Sequence, residues 1–223
     1  MIFALERNKS ALSLLAGKKT ATGFCVHHFD QRPLLRQTSC LQEMFNASPE
    51  PVNDVIVGVH DDDLILRHIL VPKNIAKIYP YCQKQLAQVC SIKDYSWDAY
   101  PISCFKDEGH LLLCAAYPLE KIIFLQELLK LSNVRMRALE PSACAIARMS
   151  FVLLKQTNAE YALEDTLMTV EHGEVLALEQ IRSFERAPVN LSSYIQTVHP
   201  YRLPSEAESL FAPLGLALRS DHP

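Results

Sequence analysis

Residues 110–148 alternate between apolar strand-like runs and helix-like segments, and this alternation limits the possible folds more than any other feature of the chain. The first run is almost wholly apolar, as a strand buried on both faces of a sheet is. Leu119–Leu131 places apolar side chains on one side of a helical wheel and charged side chains on the other. A second strand follows from Val134, and Pro141 and Ser142 favour the start of a second helix. The order strand, helix, strand, helix is that of a mixed α/β fold.

The rest of the chain is also predicted to form short strands and helices. The small residues Ala143, Ala147 and Ser150 of the second helix predict that another element packs closely against it. Gly17 and Gly23 mark a turn between strands, and Asn74 is a candidate N-cap. The predicted strands are 2–6, 10–16, 22–29, 54–59, 63–71 and 95–105, with a hairpin of 165–171 and 174–182. The predicted helices are 39–46 and 74–90, and residues 187–209 are predicted to be mostly loop.

Composition excludes several classes of protein. The chain has 223 residues, enough for one large domain or two small ones, and its 49% hydrophobic content allows a substantial core. A net charge of −3 gives no electrostatic reason to expect binding to nucleic acid or to an anionic membrane. No apolar run is long enough to span a bilayer and the N-terminus does not resemble a secretory signal, so we expect a soluble cytoplasmic protein. The seven cysteines form no CxxC pair, which favours a reducing compartment without disulfides or a zinc site.

Three segments in the right order resemble the type IV pilus assembly protein family PilM, and especially its short competence relatives of the ComA and HofM type. They are residues 110–148, residues 55–72 with their strand, turn, strand and closing proline, and the tail Leu214–Arg219. The resemblance implies an actin-like ATPase fold of the ribonuclease H-like type with a reduced second lobe. It implies a first-lobe core of residues 1–61 and 133–158, an inserted small subdomain of residues 62–132, and a second lobe of residues 159–223.

The segments that would hold a nucleotide in such a fold lack the glycines this task requires. Phosphate hairpins use glycine so that backbone N–H groups can approach the phosphates without an intervening Cβ. The first hairpin, Phe3 to Ala11, contains none, and Glu6 is its only acidic residue. The second, near Tyr161 to Thr169, contains none either, and little chain remains for an adenosine loop. We therefore expect no catalytic residues, no nucleotide cofactor and no ATP hydrolysis.

Two other clusters invite a chemical interpretation. Cys25, His27 and His28 could bind a metal or supply a nucleophile. Zinc needs about four ligands and the sequence offers no second cluster, so strand packing is the favoured interpretation. His60 with the three aspartates 61–63 could form an acid–base or cation site, but successive aspartates at a hairpin tip are more typical of a solvated turn. We expect no metal site.

The resemblance implies an interaction protein on the cytoplasmic face of the inner membrane, peripheral to it through a protein partner. In this family the partner is the short N-terminal cytoplasmic segment of a membrane protein of PilN type, within a machine for pilus assembly or competence DNA uptake. The peptide is expected in a cleft between residues 62–90 and the first-lobe core. Arg67 and Tyr79 are the expected contact residues, and Tyr81 and Trp97 are further candidates. An outward-facing or ion-paired Arg67, and packing in the core or at its rim for the three aromatics, remain alternatives.

Two other classes of function stay open from the sequence. The first is an actin-like nucleotide-binding ATPase, and the second is a cytoplasmic adaptor of a type II secretion system. The sequence does not define the oligomeric state, and it does not separate pilus biogenesis from DNA uptake.

Overall fold

The computed structural model describes residues 1–21, 23–34, 37–90, 94–102, 109–163, 166–180, 195–197 and 207–219. Packing divides the chain into two compact units. Unit 1 consists of Met1–Asp61 and Gln126–Pro223, and unit 2 consists of Asp62–Leu125. The division into a first-lobe core, a subdomain 62–132 and a second lobe, which came from the family resemblance, stays a prediction.

Unit 1 is built on a six-stranded mixed sheet in the order β12-β3-β2-β1-β4-β8. β1, β2 and β3 form an antiparallel meander, whereas β1, β4 and β8 run parallel to one another. β4 is buried along nearly its whole length, as the continuous apolar sequence Val-Ile-Val requires. The strands are Ile2–Arg7 (β1), Ala11–Lys19 (β2), Phe24–Pro33 (β3), Asp54–Val59 (β4), Arg135–Pro141 (β8) and Ile195–Thr197 (β12).

Two buried helices of unit 1 pack against each other and against this sheet. They are α4, Ser142–Val152, and α5, Phe211–Leu218. Ala143, Ala147 and Ser150 are fully buried, which confirms the prediction of a close approach at α4. A Cβ built on Gly215 of α5 would lie 1.8 Å from the carbonyl oxygen of Ala145, so the two backbones meet at a position that only glycine can occupy.

A second, three-stranded antiparallel sheet of unit 1 lies beside these helices, in the order β11-β10-β9. Its strands are Asn158–Leu163 (β9), Thr166–Glu171 (β10) and Glu174–Gln180 (β11). The predicted hairpin turn at His172-Gly173 is confirmed, with φ angles of 48° and 83° that fit a tight two-residue turn. The ring of Tyr161 meets the ring of Phe211 edge-on at 5.5 Å, which joins β9 to α5.

Unit 2 is a three-stranded antiparallel sheet, β5-β7-β6, with one helix on it. The elements are Ile65–Pro72 (β5), Ile78–Leu86 (α2), Tyr95–Ile102 (β6) and Gly109–Pro118 (β7). The core of the unit lies between α2 and one face of the sheet. Its buried members are Ile69, Val71, Cys82, Leu86, Leu112 and Cys114. Burial raises the pKa of the Cys114 thiol to about 12, so this thiol behaves as a small apolar side chain.

The remaining helices are α1, Gln37–Ala47, and α3, Leu119–Leu131. α1 confirms the helix predicted at 39–46. In α3 the predicted apolar side is buried at Leu125, Leu128 and Leu129. No helix in the described part of the chain is long and apolar enough to cross a bilayer.

Two local expectations were wrong. The helix expected from Asn74 begins at Ile78, because Pro80 would clash in a helix interior and is tolerated only in the first turn. Gly17 lies inside β2 at a register shift and not in a turn, and a Cβ there would come within 2.6 Å of the carbonyl oxygen of Cys25. Most of the loop predicted at 187–209 lies outside the described residues.

Candidate functional site

The first hairpin consists of β1 and β2 with its tip at Asn8–Ser10, and it is the segment that the family resemblance predicts to face a phosphate. Its tip is closed by the side chain of Asn8. Oδ1 of Asn8 accepts hydrogen bonds from the backbone N–H groups of Ser10 at 3.0 Å and Ala11 at 2.7 Å. The backbone N–H of Asn8 bonds the carbonyl oxygen of Ala11 at 3.1 Å. The amides that would have to point at a phosphate are therefore already satisfied within the hairpin.

A row of four residues crosses the main sheet next to this hairpin. Glu6 of β1 aligns with Ser13 of β2 and with Gly58 of β4, and Gly58 aligns with Glu140 of β8. Side chains of aligned partners emerge on the same face of a sheet. We call Ser13, Glu6, Gly58 and Glu140 the carboxylate row, and its two carboxylates are 5% and 2% exposed.

A leucine of α5 fills the middle of the carboxylate row. Leu216 Cδ1 lies 2.7 Å from the position that a Cβ on Gly58 would take. The glycine therefore leaves room for a leucine and not for a ligand. This apolar side chain above Gly58 lies between the two carboxylates. The Cα atoms of Glu6 and Glu140 are about 10 Å apart, because their strands lie on either side of β4. No group of three or more His, Cys, Asp or Glu side chains that could hold a metal ion occurs among the described residues.

Glu140 is held by two arginines in an arrangement that we call the Glu140 clamp. Arg148 of α4 bonds both carboxylate oxygens, at 2.7 and 2.9 Å, and also donates to the carbonyl oxygen of Gly215 at 2.9 Å. Arg219, directly after α5, bonds Glu140 Oε2 at 2.9 Å. Such bidentate and charge-assisted bonds satisfy a buried carboxylate and neutralise it. The clamp joins β8, α4 and α5.

The electrostatics of the clamp also affect Cys144. Burial, and to a lesser extent the charge of Glu140, raise the pKa of its thiol to about 12, and the charges of Arg148 and Arg219 oppose this rise. A thiol with that pKa stays protonated near neutral pH and is not a nucleophile. The residues at the carboxyl ends of the parallel strands therefore form a packed ionic core.

The two clusters considered from the sequence do not assemble as sites. His28 is buried in β3, where burial lowers its pKa, and Cys25 and His27 are only partly buried on the same strand. Asp61 forms an ion pair with Arg7, and Asp63 forms one with Lys121 at 2.9 Å. These aspartates are thus structural partners of basic side chains.

The structure places Arg67 and Tyr79 on the same side of the small sheet. Arg67 alternates with Ile69 and Val71 along β5 and therefore emerges on the face that α2 partly covers, where its side chain is exposed. Tyr79 lies in the first turn of α2 and is 57% exposed. Among the described residues no carboxylate pairs with Arg67, and its role as a contact residue stays a prediction.

Tyr79 belongs to an aromatic pair, with Tyr79 exposed and Trp97 partly buried, that the sequence indicated only in part. Its ring lies 5.2 Å from the ring of Trp97 on β6, and its hydroxyl donates to Asp98 Oδ1 at 3.0 Å. This hydrogen bond raises the pKa of Tyr79. We call Arg67, Tyr79, Trp97 and Asp98 the α2 face. The role of Asp98 was missed, because nothing in the sequence links it to a tyrosine on another element. The cleft predicted between residues 62–90 and the first-lobe core stays a prediction.

Comparison with known proteins shows the fold. No protein-family model matches the sequence, and no curated protein matches it. One similar structure is the PilM-PilN type IV pilus biogenesis complex, at 16% identity and a TM-score of 0.66 over 81% of this chain and 61% of that one. Another is the cytoplasmic domain of EpsL, an inner membrane component of the type II secretion system of Vibrio cholerae. It has 15% identity and a TM-score of 0.59 over 99% of this chain and 96% of that one.

The chain therefore has the actin-like ATPase fold, as predicted from the resemblance. It spans less than two thirds of the pilus protein's chain. At these identities the likeness is one of fold. How far the second lobe is reduced depends largely on residues outside the described part of the chain.

Proposed function

We propose that the chain is a non-catalytic adaptor of a type IV pilus machine, cytoplasmic and peripheral to the inner membrane, that binds the cytoplasmic tail of a PilN-like protein. The observation that carries this proposal is the closed tip of the first hairpin, where Asn8 occupies the backbone amides that a phosphate would need. The likeness to the PilM-PilN complex supplies the class of partner. A role in competence and DNA uptake is part of the proposal.

The Glu140 clamp supports an adaptor rather than an ATPase. An ATPase of this fold needs acidic side chains that are free to organise a metal ion near the phosphates. Here Glu140 is 2% exposed and already bonded to two guanidinium groups. Opening the clamp would leave a buried charge unpaired, which costs about 3–5 kcal/mol. The clamp instead fixes α4 and α5 on β8 without a nucleotide.

The α2 face has the chemistry of a peptide-docking surface. The exposed Tyr79 and Arg67 and the partly buried Trp97 are of the residue types that most often dominate binding energy at interfaces. Tyr79 is held in place by Asp98 and Trp97, so little side-chain entropy remains to be lost on binding. We propose that apolar groups of the tail pack on the aromatic pair and that Arg67 bonds a backbone carbonyl or an acidic group of the tail.

The test is a titration of the full chain with a labelled synthetic peptide of the cytoplasmic tail of a PilN-like protein from the same genome, followed by fluorescence anisotropy. Arg67→Glu and Tyr79→Ala should each weaken binding by about tenfold, or about 1.4 kcal/mol. Lys130→Glu is the control, because Lys130 is exposed on α3 and lies outside the α2 face.

Three results would each have a distinct meaning. Absence of binding up to about a millimolar, where binding is worth only about 4 kcal/mol, contradicts the adaptor proposal. Normal binding by both α2-face variants contradicts the proposed binding site but is consistent with the proposed partner. Loss of natural transformation on deleting the gene, with pili intact, assigns the role to DNA uptake.

A type II secretion adaptor is the second candidate. The likeness to the cytoplasmic domain of EpsL, which covers 99% of this chain and 96% of that one, supports it. Adjacent genes of PilN, PilO and PilQ type would favour the pilus machine, and adjacent secretion genes would favour this second candidate.

A further inference from the structure

Among the described residues, β8 is an edge strand of the main sheet. β8 is terminal in the strand order, and within the described residues it pairs only with β4. An edge strand carries N–H and C=O groups that can pair with an added strand. The side chains of Arg135 and Arg137 on β8 are exposed to solvent. This half of the edge is therefore accessible.

A pocket of about 420 Å³ lies where α3 turns into β8. The turn is built by hydrogen bonds from Asn133 N–H to the Lys130 carbonyl and from Val134 N–H to the Leu129 carbonyl, both at 3.0 Å. This is a Schellman end, with Asn133 in the left-handed conformation at φ 55°. The pocket and β8 edge together are called the β8-edge pocket. Its lining residues are Gln126, Lys130, Asn133, Val134, Arg135 and Met136.

The rim of the β8-edge pocket is basic although the whole chain carries a net charge of −3. Lys130, Arg135 and Arg137 are all exposed. Arg135 reaches Asp54 only at 3.6 Å with its side chain 78% exposed, which is a weak surface pair. No carboxylate among the described residues pairs with Lys130 or Arg137. Three cations beside an open strand edge thus lack a strong internal partner.

We propose that the β8-edge pocket binds a short, extended, acidic segment of a protein partner other than the one that docks on the α2 face. Backbone groups of the segment pair with β8, its carboxylates meet Lys130, Arg135 and Arg137, and one apolar side chain enters the pocket above Val134 and Met136. The register shift in the β4–β8 pairing limits the length of strand that can pair with β8. Arg135 and Arg137 disfavour an apolar strand and favour an acidic one. The site belongs to unit 1 and does not depend on the adaptor's tail-binding site.

The test is a selection from displayed random dodecapeptides on the full chain, with counter-selection on the double variant Lys130→Glu/Arg137→Glu. Both substitutions lie on exposed side chains, so the variant should fold, and circular dichroism checks this. Peptides that survive should be enriched in Asp and Glu, and the double variant should bind them at least about tenfold more weakly. Amide NMR signals of residues 133–139 should shift on titration of the selected peptide, and 0.5 M salt should weaken the complex.

Arg67→Glu serves as the control, because it lies in the α2 face and should bind the selected peptides normally. The proposal is overturned if no peptide survives counter-selection, if survivors lack acidic residues, or if the shifted amides lie outside the β8-edge pocket. The two sites are independent if Arg67→Glu loses binding only to the PilN-like tail and the double variant loses binding only to the acidic peptide.

Discussion

Gly215 is the residue at which one added methyl group should do the most damage. Its missing Cβ would lie 1.8 Å from the carbonyl oxygen of Ala145, and a backbone atom in the middle of α4 cannot move aside by itself. We expect Gly215→Ala to destabilise the protein by at least about 1–3 kcal/mol, as overpacking of a close-packed core does. Urea unfolding followed by far-ultraviolet circular dichroism measures the change in midpoint.

Gly58→Ala is the matched control for this prediction. The new Cβ would meet the methyl end of the Leu216 side chain, which can rotate, so the loss of stability should be smaller than for Gly215→Ala. Equal losses of stability in the two variants would mean that the rigid α4 backbone at Ala145 is not the reason why Gly215→Ala is destabilising.

The second prediction at this scale concerns His28 and pH. Burial lowers the pKa of His28 below its usual 6.5, with a smaller opposing effect from Asp30. Below pH 6.5 the unfolded chain therefore takes up a proton that the folded chain does not. The free energy of unfolding consequently decreases as the pH falls from about 6.5 towards the folded pKa. The slope from one such group is at most about 1.4 kcal/mol per pH unit.

Unfolding titrations at pH 7.5, 6.5 and 5.5 check this expectation. The wild type should lose more stability on acidification than His28→Leu, which keeps an apolar side chain in the buried position. Identical pH dependence in the two proteins would contradict the assignment to His28.

At the scale of single elements, the end of α3 offers a test of backbone conformation. Asn133 has a φ of 55°, which asparagine tolerates and alanine resists. Asn133→Ala should cost about 1 kcal/mol, whereas Asn133→Gly should be neutral or slightly stabilising. Lys130→Ala, on the exposed side of the same helix, should change stability by less than about 0.5 kcal/mol. Thermal melts compare the three, and a stable Asn133→Ala would show that the Schellman end does not limit the stability of α3.

Helices, strands and turns could be predicted from the sequence where one local rule determines them. They were harder to predict where two local rules conflict or where a distant residue decides. The apolar side of α3 and the turn at His172-Gly173 follow from periodicity and turn chemistry and were predicted correctly. Asn74 predicts a helix start that the structure does not have, because Pro80 is tolerated only in the first turn and so α2 begins at Ile78. Gly17 predicts a turn by its residue type, but its role in β2 is steric. The steric requirement depends on the Cys25 carbonyl oxygen across from it, which local sequence does not show.

At the scale of the whole molecule, the fold followed from a few ordered segments, but the ionic core did not. The sequence shows that the first hairpin lacks glycine. It does not show that Arg148 and Arg219 converge on Glu140, because Arg219 follows it by 79 residues and reaches it only through the docking of α5. Long-range ion pairs of this kind depend on tertiary packing, and local periodicity carries no record of them.

The first hairpin and the Glu140 clamp together predict that the protein does not bind ATP. The amides at the hairpin tip are bonded to Asn8, Leu216 fills the space above Gly58, and the Glu140 carboxylate is neutralised by protein cations. Calorimetry of the purified chain with ATP and magnesium should give no binding heat up to about a millimolar. Asn8→Gly frees two amides without changing Glu140, and it should still fail to bind, because the space above the carboxylate row remains filled. A dissociation constant in the low micromolar range for the wild type, about −8 kcal/mol, contradicts the non-catalytic proposal. Binding gained only by Asn8→Gly would instead show that the hairpin tip alone excludes the nucleotide.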